Sequence, residues 1–353
     1  MRNHIMKTYW WQDKIDDYQQ WHSLLVRVNP ETVNEDAPAL LSGHNSRMQL
    51  QLRGYPLFWA TVLHDHCGVW LIYNQDHPAQ QNLLSPLRSQ QAEKIAALPA
   101  EEQTPQWCRY FARDLQERPS PLLAAGEWLL RPMNITPPSA PYIVNAPCPR
   151  EKWCFRSPSA KDISNADWLL YSEDLPDLQS PGRVMFADWW FGGYQLLPRY
   201  AVEPQSSRLK YWRKVAREGK LPPVLIWYIN GLASYIILDG HLRLQAAYDE
   251  NIPPAFIVLS QYHECSYEPD SAAIEKVQQA IAHQMDKNPH PDIRGINQTL
   301  ISLYQNRYGR HSTRSRAILG DGRSWEEDVS RYLRRHGDTR HLTAILQRTE
   351  ETA

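Results

Sequence analysis

The densest chemistry in the chain is Asp239, Gly240, His241 and Arg243, within the stretch YIILDGHLRLQAAYDENIP (235–253). An apolar run stops at Asp-Gly and a helical pattern begins there. A helix start presents free backbone N–H groups and the positive end of its dipole, so it favours an anion. A cation in the first turn is ordinarily unfavourable. His241 and Arg243 at that position are better explained if a phosphate or carboxylate sits between them and the backbone donors. Gly240 would let such a ligand approach the main chain closely. In a phosphoryl-transfer reading, Arg243 grips the terminal phosphate and the 240–243 backbone cradles it. His241 then serves as phosphate donor or general base, and Asp239 holds Mg²⁺ directly or through water. The expected catalytic residues are thus His241 and Asp239, and the expected phosphate ligands Gly240, His241 and Arg243. A purely structural reading also fits these residues: Asp239 caps the helix, Arg243 pairs with a nearby acid, and His241 is a solvated first-turn residue.

Several elements must position this turn. SSRLKYWRKVAREGK (206–220) places Leu209, Trp212, Val215 and Ala216 on one helical stripe, opened by a Ser and closed at Gly219. LPPVLIWYING and LASYIILD read as a hairpin over 221–239 with an Asn-Gly turn. GHLRLQAAYDEN is a short helix and PPAFIVLS a further strand. Ala246 and Ala247 allow close packing of that helix on the sheet.

In its order of elements, the block from about Gln195 to Leu259 resembles the ParB/sulfiredoxin superfamily, the ParB-like nucleotide-binding domain. The segments that carry the resemblance are LLPRYAVEP, REGKLPPVLI, ILDGHLRLQAA and ENIPPAFIVL. The family's G-x-x-R-x-x-A motif, which holds phosphates at a helix start, is matched by Gly240, Arg243 and Ala246. The resemblance covers about one fifth of the chain. His241 stands where sulfiredoxins carry a Cys and where chromosome-partition members carry a Glu. The D-G-H-H-R motif of the free-serine kinases is closest, with Leu242 in place of its second His. The resemblance implies a nucleotide ligand (ATP, ADP or CTP) with Mg²⁺. It allows either a Mg²⁺-dependent phosphotransferase or NTPase, or else a non-catalytic nucleotide-sensing regulator or a nucleic-acid-associated ParB-like protein.

The remainder of the chain is read more coarsely. Its 353 residues carry a net charge of −1, so any anion site must be local, not an effect of the whole molecule. Twenty-seven Pro argue for long connections of fixed shape, and 14 Trp for a large aromatic core. Five Cys without a repeated CxxC, no signal-like start and no membrane-length apolar run point to a cytoplasmic protein. We expect an α/β (mixed α+β) protein. Its parts are a mixed N-terminal domain (1–130), a Pro-rich linker or wrapping arm (131–182), the ParB-like module (183–262) and a helical extension (263–353).

Within 1–130, residues 52–75 read as a β-hairpin and 85–117 as two helices interrupted near Pro99 and Pro105. Helices are expected over 271–286, 296–308, 324–336 and 339–348, the third with a capping box of Ser324 and Glu327. His64, His66, Cys67 and His77 read as a polar hairpin tip sooner than a zinc site, and Cys148 and Cys154 as incidental thiols. FADWWFGGYQ (186–195) reads as core, and LGDGRSW (319–325) as a turn before a helix. The Arg-rich run RYGRHSTRSR (307–316) leaves nucleic-acid contact open. No membrane partner is expected, and oligomeric state is not legible.

Overall fold

The computed structural model describes residues 9–16, 20–30, 37–63, 66–76, 83–117, 122–136, 148–158, 163–164, 168–189, 194–266, 270–288, 291–304 and 307–348. The chain opens with strands β1 (Tyr9–Ile15), β2 (Trp21–Val28), β3 (Ala39–Ser42), β4 (Arg47–Leu52), β5 (Tyr55–Val62) and β6 (Gly68–Tyr73). Helices α1 (Ser89–Ala96) and α2 (Ala100–Gln116) follow. Then come β7 (Gly126–Ile135), β8 (Cys154–Arg156), β9 (Ile163–Ser164), β10 (Leu169–Tyr171), β11 (Val184–Asp188) and β12 (Gln195–Leu197). The central block is α3 (Ser207–Arg217), β13 (Val224–Ile229), β14 (Ser234–Asp239), α4 (His241–Glu250) and β15 (Phe256–Ser266). The C-terminal part holds α5 (Ser271–Lys287), α6 (Ile293–Tyr304), β16 (Arg307–His311), β17 (Ser315–Arg316), α7 (Arg323–Arg335) and α8 (Leu342–Leu346).

Among the described residues these strands form two sheets in a mixed α/β fold. The larger runs β1-β2-β7-β15-β13-β14-β12, with β8, β9, β10 and β16 attached at its flanks. The smaller runs β11-β6-β5-β4-β3-β17. β13 reads VLIWYI and is buried throughout, as a central strand covered on both faces must be. It pairs antiparallel to β14 and parallel to β15. One apolar core spans both sheets. A second, smaller core lies where α7 and α8 cover Trp59 and Ile72 of the smaller sheet.

The fold departs from the expected domain division. β1, β2 and β7 are hydrogen-bonded into the same sheet as β13–β15, so the boundaries at 130 and 183 do not separate sheets. The Pro-rich start of the expected linker is in fact the end of β7, a central strand that contains Pro132. The missing N–H is tolerated because β2 pairs with β7 only as far as Leu130, while β15 pairs with it through Met133. Residues 137–147 lie outside the described set.

Helix 296–308 is instead α6 followed by β16, which pairs with the far end of β15. The expected capping box at Ser324 does not form. Gly322, at φ +77°, is the N-cap of α7 and no side chain caps it. The 52–75 hairpin is present as β5 and β6. His64, His77 and 190–193 lie outside the described residues, whereas Phe186 packs on Trp70 at 4.8 Å. No helix among the described residues is long and apolar enough to cross a membrane.

Candidate functional site

β14 delivers Asp239 at its end, and Gly240 turns the chain into α4. Gly240 sits at φ +108°, a conformation that L side chains rarely adopt, and it is the N-cap of α4. A Cβ at this position would lie 2.8 Å from Arg243 Nη2 and 3.1 Å from its Cζ. Glycine is therefore required twice, once for its backbone angle and once to make room for the guanidinium.

That guanidinium is folded back onto the turn. Arg243 Nη2 donates to Asp239 Oδ2 at 2.8 Å and to the Pro223 carbonyl at 3.0 Å, while Nε has no partner. Its Cζ lies 5.8 Å from the Trp212 ring centroid, and the side chain is 3% exposed. His241 is buried completely. Its Nε2 accepts the Arg199 backbone N–H at 2.9 Å, so the neutral ring carries its proton on Nδ1, which is also buried and has no partner. The ring stacks on Tyr200, centroids 3.9 Å apart and planes 22° from parallel. Burial, and then the charges of Arg199 and Arg243, hold the imidazole pKa well below its usual value.

Beneath the turn, Arg199 is itself buried. Its Nε and Nη2 donate to the carbonyls of Ile237 and Leu238 at 2.9 and 2.8 Å. It thus ties the end of β14 to the segment after β12. Burial lowers its pKa, although its neighbours Tyr200, Tyr73 and Asp239 favour the charge.

These positions revise the expectations for His241 and Asp239. His241 is not a solvated first-turn residue, and a ring whose lone pair is already engaged in the interior is poorly placed as a base or phosphate donor. Asp239 is not the cap of α4; its carboxylate pairs with Arg243 four residues on. Nor does the donor set fit Mg²⁺ well, because Asp239 is one carboxylate already engaged by a guanidinium. No group of three or more metal-capable side chains occurs among the described residues.

Beside the turn lies a cleft of about 710 Å³ lined by Ser85, Leu87, Arg88, Ser89, Arg208, Tyr211 and Trp212, among others. It forms where the start of α1 meets the first turn of α3. Neither helix has an acidic residue in its first turn. Ser206 caps α3 by accepting the Leu209 N–H at 3.1 Å, and Arg208 donates to the Leu87 carbonyl at 3.0 Å. Arg88 and Arg208 both face solvent. Trp212 belongs to the cleft wall and also packs against Arg243. Tyr110 of α2 feels Asp239 and Arg88 electrostatically, although burial is the main cause that lifts its pKa to about 12. The cleft residues Arg88, Arg208 and Tyr211 were missed in the sequence, and Trp212 was seen only as core. The available signal was the one used at Arg243, a cation at a helix start without an acid to balance it.

No family model, curated protein or solved structure matches the chain.

Proposed function

We propose that this protein is a binding module for a phosphate-bearing ligand, with a nucleotide as the favoured class, received in the cleft between α1 and α3. The observation that carries the reading is the pair of solvent-facing guanidiniums, Arg88 and Arg208, at two helix starts that lack acids. Both contribute positive charge where helix N–H groups already favour an anion. Tyr211, half-buried on the same wall, offers an aromatic face against which a base could stack, with the buried Trp212 behind it. The volume falls within the range of small-molecule sites. The order β12, α3, β13, β14, α4, β15 is also the one the ParB-like resemblance implies. Arg243 would then act from behind Trp212, releasing Asp239 if the ligand phosphate reaches it.

Binding is favoured over turnover because His241 is sealed inside and neutral. A phosphotransferase reading would need that ring exposed, and nothing in the site favours such a rearrangement.

The test is calorimetry of the full chain against nucleoside mono-, di- and triphosphates, with and without Mg²⁺. Binding should weaken about tenfold in Arg208→Ala, the loss expected of one charge-assisted contact. It should also fall as salt rises. His241→Gln should leave affinity within about threefold if the folded state persists. Absence of binding across the panel, or affinity unchanged from the native protein in both Arg208→Ala and Arg88→Ala, would remove the proposal. Nucleotide hydrolysis abolished by His241→Gln would restore the catalytic reading.

A further inference from the structure

Helix α3, SRLKYWRKVAR, carries five cations and no acid. Two of them, Arg213 and Arg217, share Glu250 at 2.7 and 2.8 Å, so the like charges of that i, i+4 pair are balanced. The other such pair, Lys210 and Lys214, is not. Both lysines are exposed, and Lys210 has no acid partner among the described residues. Lys214 reaches only Glu218, at 3.9 Å, and that one carboxylate also meets Lys220 at 3.6 Å. Like charges four residues apart destabilise a helix unless an anion lies between them. Arg88 and Arg208 form a second unbalanced pair in the cleft, where Asp114 already accepts the Ser85 N–H at 3.0 Å. Tyr211 stands between the two pairs, three residues after Arg208 and three before Lys214. Arg208, Tyr211 and Lys214 therefore lie in a row along one ridge of α3.

We propose that the ligand of the cleft is the end of a single-stranded nucleic acid, an inference that rests on the phosphate site put forward above and extends it along α3. One phosphate lies between Arg88 and Arg208, the adjoining base stacks on Tyr211, and the next phosphate lies between Lys210 and Lys214. From Arg208 to Lys214 the helix rises about 9 Å, room for a phosphate on each side of a ring. A single strand repeats that alternation of anion and flat ring, and cations interleaved with an aromatic hold it without regard to base sequence. A mononucleotide uses Arg88, Arg208 and Tyr211 but leaves the lysine pair unbalanced. An acidic peptide supplies the charge and no ring for Tyr211. A duplex keeps its bases stacked on one another, out of reach of that ring. With a net charge of −1, the chain has no general attraction for polyanions, so this local track decides what is held.

The probes are thymidine 5′-monophosphate, a 5′-phosphorylated thymidine pentanucleotide and a pentaglutamate peptide, each titrated calorimetrically into the full chain at about 50 mM salt. We expect the pentanucleotide to bind at least about tenfold more tightly than the monophosphate, and the peptide more weakly than the pentanucleotide. Replacing both exposed lysines, Lys210→Gln with Lys214→Gln, should weaken the pentanucleotide about tenfold. It should also make the slope of log affinity against log salt shallower by about 1.4, the loss of two phosphate contacts on a single strand. A monophosphate that binds while the pentanucleotide gains nothing would overturn this inference and leave the phosphate site standing. Failure of the monophosphate and the pentanucleotide alike would remove both. Pentaglutamate binding as tightly as the pentanucleotide, or an unchanged salt slope in the double lysine variant, would overturn the inference as well.

Discussion

Replacing Gly240 with alanine should destabilise the protein by about 2–4 kcal/mol, of which the left-handed backbone accounts for about 1–2. The remainder comes from displacing the Arg243 guanidinium, which occupies the space a Cβ needs. A double-mutant cycle in chemical denaturation separates the two parts. In an Arg243→Ala background the Gly240→Ala penalty should shrink to the backbone portion. Additive penalties would mean that the guanidinium does not depend on the glycine. At this scale the turn is a closed arrangement: Arg243 holds Asp239, Arg199 holds the β14 carbonyls, and His241 receives the Arg199 N–H. The residue types of a phosphate grip are present, with the guanidinium and imidazole facing the interior.

Among the elements, α7 and α8 pack on the smaller sheet through an apolar core, and one buried cation ties both of them to it. Arg47 of β4 donates to Thr61 Oγ1, to the Ile345 carbonyl, to the Gln347 carbonyl and to Glu326, and it lies 4.7 Å from the Trp325 ring centroid. Arg47→Met leaves Glu326 without this partner and strips a donor from two carbonyls. We expect a loss of about 3 kcal/mol, with hydrogen exchange rising first across 323–348. Uniform acceleration across both sheets would show that the clamp is not local.

The elements also show what could be read in advance. α3, β13, β14, α4 and β15 were legible because their apolar periodicity, Ser206 and Gly219 all agree. β7 was not, because six prolines over 131–150 disguised a strand whose neighbour on one side stops early. β16 was hidden for a different reason. RYGRH has no apolar alternation, and it becomes a strand through pairing with the end of β15 and with β9. Burial of His241 and Arg243 was equally hidden, since both types favour the surface on average and nothing local announces the carbonyls and rings that enclose them.

The whole molecule should lose stability in mild acid. His241 is held well below its usual pKa, and burial beside Arg131 takes His311 down to about 3. Below about pH 6.5 the unfolded chain therefore binds protons that the native state refuses, so stability falls with falling pH by about 1.4 kcal/mol per pH unit per histidine. Asp174 works in the opposite direction. Burial raises its carboxyl to about 6, so between roughly pH 4 and 6 the native state binds the extra proton and gains stability as pH falls. The net slope there should be close to that of one histidine. Thermal unfolding followed from pH 7.5 to 4.5 checks this, with Asp174→Asn steepening the acid limb and His311→Gln flattening it. A flat profile in the native protein would contradict the buried, neutral histidines.

The smaller sheet waits on the far end of the chain. Arg47 meets its Ile345 acceptor 298 residues later, and β3 receives β17 only after both helices α5 and α6 have been made. Assembly that depends on such distant pairings is slow, because loop closure precedes the contacts that reward it. During synthesis β3–β6 emerge long before α7, and for that interval the Trp59 and Ile72 face has no cover. The hazard in the life of this protein is thus one of timing: a chain half-made already displays the surface that its last helices exist to hide.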